Sequence, residues 1–141
     1  MRIFLDTNVL ASSIATRGLC NELFERILDE HVPLISHLVA SELERVLSGK
    51  FHLPDALVRD YLGLLKVDCE IVESSAVRAI PVKDRNDAAL LTCAIDGRAD
   101  IFVTGDKELL DLRQVEGLLI VSPRQLWLRL ADLDQRGKKG R

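Results

Sequence analysis

Residues 2–8 read Arg2-Ile3-Phe4-Leu5-Asp6-Thr7-Asn8, a short apolar run that stops abruptly on a carboxylate with two more polar side chains behind it. Large apolar residues in succession, without polar alternation, describe a strand buried on both faces, as in a parallel sheet. Strands of that kind end where α/β proteins place their ligands. A carboxylate there is costly to desolvate unless something nearby wants its charge. Asp6 therefore predicts a cation site, with a divalent ion the best candidate if other carboxylates converge on the same point.

Outward from this strand, Ile3–Leu5, helical and strand patterns alternate. Leu19 to about Glu30 is an amphipathic helix with Leu23, Phe24, Ile27 and Leu28 on one face. Val32–Ile35 is a second strand, and Ser36 reads as the cap of a helix running to about Leu47 and closed by Gly49. A further helix starts near Pro54 and carries Leu57, Val58, Tyr61, Leu62 and Leu65; Glu70–Val72 is a third strand. Ser74–Ile80 reads as a short helix or turn. The polar run Lys83-Asp84-Arg85-Asn86-Asp87 then opens an apolar helix from Ala88 to about Ile95, ended by Gly97. Ile101–Val103 is a fourth strand, followed by the Gly105 turn and a short helix from Asp106 through Leu112. Leu118–Val121 is a fifth strand, and Ser122-Pro123 caps a last helix to about Leu130. The expected fold is a three-layer α/β/α sandwich around a parallel sheet of four to five strands, with right-handed crossovers. One domain is expected over residues 1–131, with a basic, disordered tail over 132–141 that includes Arg136, Lys138, Lys139 and Arg141.

Bulk properties narrow the function. A chain of 141 residues is the size of one ordinary domain, and 48% hydrophobic with 29% charged residues describes a soluble globular protein. Aromatic residues make up only 4%, which weighs against base-stacking platforms. A formal net charge of −3 argues against an electrostatically driven DNA-binding module, though not against a nuclease with an acidic site of its own. Cys20, Cys69 and Cys93 have no CxxC spacing, and His31, His37 and His52 form no HxH or HExxH pair, so reduced thiols and no zinc site are expected. With no signal peptide and no membrane-length apolar run, a cytoplasmic protein without membrane association is expected.

Three further acids are candidates to join Asp6. Asp106 follows the fourth strand in Val103-Thr104-Gly105-Asp106, which puts it on the same sheet edge; alone it also reads as a helix cap. Glu42 falls between Leu38 and Val46 on an apolar stripe, where a carboxylate wants a partner; a salt bridge to Arg45 is the plainer alternative. Asp87 lies in a first helical turn, where the dipole favours it, yet shares a stripe with Leu91 and Ala94 that faces the sheet. Four carboxylates brought together repel unless cations sit between them, and oxygen ligands of this kind suit Mg²⁺ or Mn²⁺. Such ions act on phosphate esters by activating water and neutralising developing charge, so phosphodiester hydrolysis is the reaction this chemistry suggests.

These residues resemble the PIN-domain ribonuclease family, in particular its VapC-like toxin–antitoxin branch. The match rests on Leu5-Asp6-Thr7-Asn8-Val9-Leu10, Ser41-Glu42, Asn86-Asp87 and Thr104-Gly105-Asp106, and extends from residue 1 to about 130. The resemblance implies that Asp6, Glu42, Asp87 and Asp106 are metal-binding catalytic acids, and that Asn8 and Thr104 hold carboxylates or water. It also implies an endonuclease acting on single-stranded or structured RNA, often a homodimer, held inactive by a small antitoxin. Asp84 competes with Asp87 for the third position and otherwise serves as an outer ligand or cap. Lys83, Arg85 and Lys107 are candidates to meet substrate phosphates.

Other readings fit less well. In haloacid-dehalogenase-type phosphatases the residue two beyond the first Asp is an acid, and here it is Asn8. A receiver domain needs an Asp after strand three and a Lys after strand five, where this chain has Glu73-Ser74 and Ser122. No GxGxxG or GxxxxGK[ST] loop is present. The alternative from another class is a PIN-like binding or assembly module with little or no nuclease activity.

Overall fold

The structure, a computed structural model, describes residues 1–139. In chain order the elements are β1 (Arg2–Leu5), α1 (Thr7–Ala15), α2 (Leu19–Glu30), β2 (Val32–Ile35), α3 (His37–Gly49), α4 (Asp55–Asp68) and β3 (Glu70–Ile71). They continue as α5 (Arg85–Asp96), β4 (Ile101–Val103), α6 (Lys107–Leu112), β5 (Gln114–Val115), β6 (Leu118–Val121) and α7 (Pro123–Lys139). The sheet order is β3-β2-β1-β4-β6-β5, parallel except for the β5/β6 pair. From β1 the chain winds outward through β2 to β3, then returns to the other side of β1 as β4. Right-handed crossovers running in opposite directions place helices on both faces. The expected α/β/α layering is therefore present, with the direction of winding reversing between β1 and β4.

Those two strands form the centre of the core. Ile3, Phe4 and Leu5 are buried, as are Ile101, Phe102 and Val103. Phe4 and Phe102 are register partners whose rings stack with centroids 5.3 Å apart and planes 7° from parallel. Central strands covered on both faces have no room for polar residues, which accounts for their uninterrupted apolar runs. Among the described residues no helix is long and apolar enough to cross a membrane.

Four features depart from the sequence expectation. A helix, α1, follows Asp6 directly, although Thr7, Val9, Ser12, Ser13 and Ile14 are weak helix formers. Burial of Val9, Leu10 and Ala11 in the core overrides that local preference. The sheet has six strands rather than four to five, because Glu116 and Gly117, both at positive φ, make a two-residue turn that folds β5 back onto β6. Of the two readings of Ser74–Ile80, short helix or turn, the helix fails: the segment is non-helical, with a bend at Ser75 and Ala76. It is tied down as loop by Arg78, whose N–H donates to Thr92 Oγ1 at 3.0 Å and whose guanidinium pairs with Asp96 and Glu116.

The fourth departure is the last helix, which continues past Leu130 to Lys139, so the expected disordered tail is helical that far. Arg26 of α2 accounts for part of the extension: it pairs with Asp134, donates to Leu130 O and lies over the Trp127 ring. The pair Asp132–Arg136, one turn apart, adds to it. Gly140 and Arg141, the end of the expected tail, lie outside the described residues.

Gly97 ends α5 as expected, but not through a left-handed conformation, since its φ is −79°. Its backbone lies against the Val72 side chain. A Cβ at this position would sit 2.6 Å from Val72 Cγ1 and 2.7 Å from Val72 Cβ. Gly97→Ala should therefore destabilise the fold by about 1–3 kcal/mol through overpacking, measured by urea unfolding. Val72→Gly, which removes both Val72 atoms that clash, should cost less in combination with it than the two single changes added together. Simple additivity would show that the clash is not the cause.

Candidate functional site

The ladder between β1 and β4 does not stop with the strands. Asp6 N donates to Val103 O at 3.0 Å, and Thr104 N donates to Val121 O at 3.0 Å. This continuation brings the residues after β1 and β4 side by side at the carboxyl edge of the sheet, where its winding reverses, the position that ligands favour in open α/β sheets. Asp6 Oδ2 accepts from the buried Thr104 Oγ1 at 2.7 Å, and Oδ1 accepts from Thr7 N at 2.7 Å. Thr104 Oγ1 accepts in turn from Asp106 N at 3.0 Å. One hydroxyl thus locks two acids that are far apart in sequence.

Helices supply the rest of the wall. Glu42, half-buried on α3, accepts from Thr7 Oγ1 at 2.7 Å through its Oε2 rather than pairing with Arg45. Asp87 is half-buried in the first turn of α5. Asp6, Asn8, Glu42, Asp87 and Asp106 all line one open pocket of about 420 Å³. Asp84 does not line it; its side chain caps α5 by accepting from Asn86 N and Asp87 N. Asp6 and Asp106 are helix caps as well, for α1 and α6. For Asp106 the cap and the pocket wall are therefore not alternatives, and Asp6, which the sequence did not mark as a cap, combines the two in the same way.

The electrostatics match this crowding. Burial raises the Asp6 carboxyl above its ordinary range, and Glu42 and Asp106 push it the same way against the hydrogen bonds from Thr104 and Thr7. Asp87 is pushed up to about 6, first by burial and then by Asp84, Asp106, Asp6 and Glu108. Among the described residues none of the four pocket acids forms an ion pair.

An all-carboxylate donor set with uncompensated charge fits a hard divalent cation. As they stand, no three His, Cys, Asp or Glu side chains among the described residues are arranged to hold an ion by themselves. Mg²⁺ commonly keeps several waters and takes only one or two carboxylates directly.

Lys83, Arg85 and Lys107 are exposed and lie outside the pocket lining, while Lys83 N donates to Glu108 Oε1. The cations that do line it are Arg45 and Lys50. Thr7 was not singled out either, although it orients both Asp6 and Glu42. Its signal was its place between Asp6 and Asn8; for Arg45 and Lys50 the signal was their spacing of three and eight residues from Glu42 along α3.

A family model described as PIN domain matches residues 2–108, a span that contains all four pocket acids. No match was found among curated proteins. Among solved structures the chain is similar to one chain of VapBC2 from Rickettsia felis, crystallised bound to a DNA fragment from their promoter. The TM-score is 0.65 at 18% identity, covering 86% of this chain and 98% of that one. At that identity the likeness is one of fold.

The Asp87 shift has a thermodynamic consequence. A carboxyl at about 6 in the folded chain, against 3.8 ordinarily, holds its proton more tightly when folded than when unfolded. Its contribution to stability is fully present below the ordinary value and is lost as pH rises through about 6. In EDTA, Asp87→Asn should melt at a higher temperature than the wild type at pH 7.5 and at nearly the same temperature at pH 4. A gap independent of pH, followed by circular dichroism, would contradict the coupling.

Proposed function

The chain belongs to the PIN-domain family, and from that premise we propose that it is a Mg²⁺- or Mn²⁺-dependent endoribonuclease, the toxin of a VapC-like toxin–antitoxin module. The observation that carries this reading is the meeting of Asp6, Glu42, Asp87 and Asp106 around one open pocket with no cation among the described residues paired to them. In this reading they are the catalytic acids and would hold the ion. When bound, it supplies an activated water and neutralises charge on the phosphate. The protein's own part is orientation. Thr104 and Thr7 fix the Asp6 and Glu42 carboxylates before substrate arrives. Asn8, exposed on the pocket wall, offers an amide to water or to a phosphate oxygen, and Asp84 supports Asp87 by capping its helix. The open pocket admits a polynucleotide strand without requiring a closed cavity.

The partners follow from the same reading: an RNA substrate, a small antitoxin and a second copy of the chain in a homodimer. The fold likeness to VapBC2 supports the antitoxin. RNA cleavage by a protein with three free thiols is assigned to the cytoplasm. Residues 1–131 would carry the nuclease, while the basic residues within 132–141 would add salt-sensitive RNA affinity.

One observation favours a second reading, a binding or assembly module with little nuclease activity: no three of the acids are arranged to hold an ion unaided. Incubation with labelled RNA and Mn²⁺ separates the two. The wild type should cut and Asp6→Asn should fall to background. Thr104→Val, which keeps the shape but frees the Asp6 carboxylate, should lose about 10–100-fold in Mn²⁺ affinity or rate. A wild type that cuts no RNA and gives no Mn²⁺ binding heat in calorimetry would favour the module.

A further inference from the structure

We propose that Arg45 and Lys50, on the α3 wall of the acidic pocket, hold phosphates of the RNA strand next to the one being cut. The inference rests on the nuclease reading for the identity of the strand, and on the placement of the two cations for its path.

Both residues line the pocket that contains Asp6, Glu42, Asp87 and Asp106, and both are exposed. Arg45 stands three residues beyond Glu42, a spacing at which an arginine ordinarily pairs with the acid on its own helix. It does not do so here, because Glu42 is held by the Thr7 hydroxyl at 2.7 Å. Among the described residues neither Arg45 nor Lys50 forms an ion pair.

Lys50 is held in place by its surroundings. Its N–H closes α3 on Val46 O at 2.9 Å, Phe51 N donates to the same carbonyl, and Leu53 N donates to Leu47 O. The ammonium lies 5.6 Å from the centre of the half-buried Phe51 ring. Two unpaired cations beside uncompensated carboxylates attract an anion that is longer than the pocket. A polynucleotide meets that description, with one phosphate at the acids and its neighbours beside α3.

The part of the lining contributed by α5 and the start of α6 has the other sign. It presents Asp87, Leu90 and Asp106, while Lys83, Arg85 and Lys107 lie outside the lining. Phosphates are repelled from that side and drawn to α3. The strand therefore runs along α3, and the guanidinium of Arg45 is the group suited to a two-pronged phosphate contact.

Binding of a fluorescent single-stranded RNA 12-mer, measured by anisotropy in EDTA across a range of salt, tests this without any cleavage. Arg45→Gln with Lys50→Gln should weaken binding about tenfold, comparable to one charge-assisted hydrogen bond. The slope of log K against log salt should become shallower by about 1.4, the value for two phosphate contacts on a single strand. The exchange Arg45→Lys with Lys50→Arg should restore the slope, and Lys66→Gln on α4 should leave both quantities unchanged. Lower melting temperature with unaltered affinity and slope would assign Lys50 only to the helix C-terminus and overturn the proposal. Wild-type protein that binds RNA with these slopes but cuts nothing with Mn²⁺ would sink the nuclease reading and leave this one standing. Wild-type protein that cuts RNA while the double variant binds unchanged would do the reverse.

Discussion

The Thr104 hydroxyl, donating to Asp6 Oδ2 and accepting from Asp106 N, is the contact on which the rest of the site depends. It joins the ends of the two central strands, and it can do so only because the β1/β4 ladder runs one residue further than the strands themselves. A buried hydroxyl satisfied on both sides is worth more than either bond alone, since losing it would strand a carboxylate oxygen and an amide. Through Asp6 the constraint passes to Thr7, and through the Thr7 hydroxyl to Glu42 on α3. A core of stacked Phe4 and Phe102 thereby sets the orientation of side chains outside it.

Charge is the second theme. The pocket gathers acids, and burial first and their mutual repulsion second raise Asp6 and Asp87 above ordinary carboxylates. The fold softens this by starting helices there. Asp6, Asp84 and Asp106 each cap one, and Asp87 occupies a first turn. The amide dipoles of a helix start favour a nearby negative charge by about 0.3–1 kcal/mol. Several such starts around one pocket offset part of the repulsion without placing a lysine or arginine on the carboxylates. Capping and charge accumulation coincide at Asp6 and Asp106, which do both.

Much of this was legible in the sequence, for physical reasons that differ by residue. An uninterrupted apolar run, ending directly on Asp6 for β1 and three residues before Asp106 for β4, identified both strands and the sheet edge their acids share. Stripe position brought out Glu42 and Asp87. Helix α1 was hidden because its serines and β-branched residues are poor helix formers until buried. The β5/β6 turn was hidden because Glu116-Gly117 lacks the usual Asn-Gly signal. Lys83, Arg85 and Lys107 flank Asp84 and Asp106 along the chain but stand outside the pocket wall, whereas Lys50 and Arg45, which the sequence offered only as a partner for Glu42, line it. Sequence adjacency was the wrong metric there; helical spacing from Glu42 was the right one.

Helix α1 begins at the residue after Asp6, with no loop between strand and helix. A carboxylate held at such a junction has almost no conformational freedom left to lose when a ligand arrives. Its ordering entropy is met during folding, when the core closes over Val9 and Leu10, and the reorganisation energy at the moment of use is correspondingly small. The same rigidity leaves little slack: a shift in the packing of the core beneath α1 is transmitted to the carboxylate almost undiminished. Core and site are one mechanical unit at this point, and a change meant only to repack the first would also retune the second.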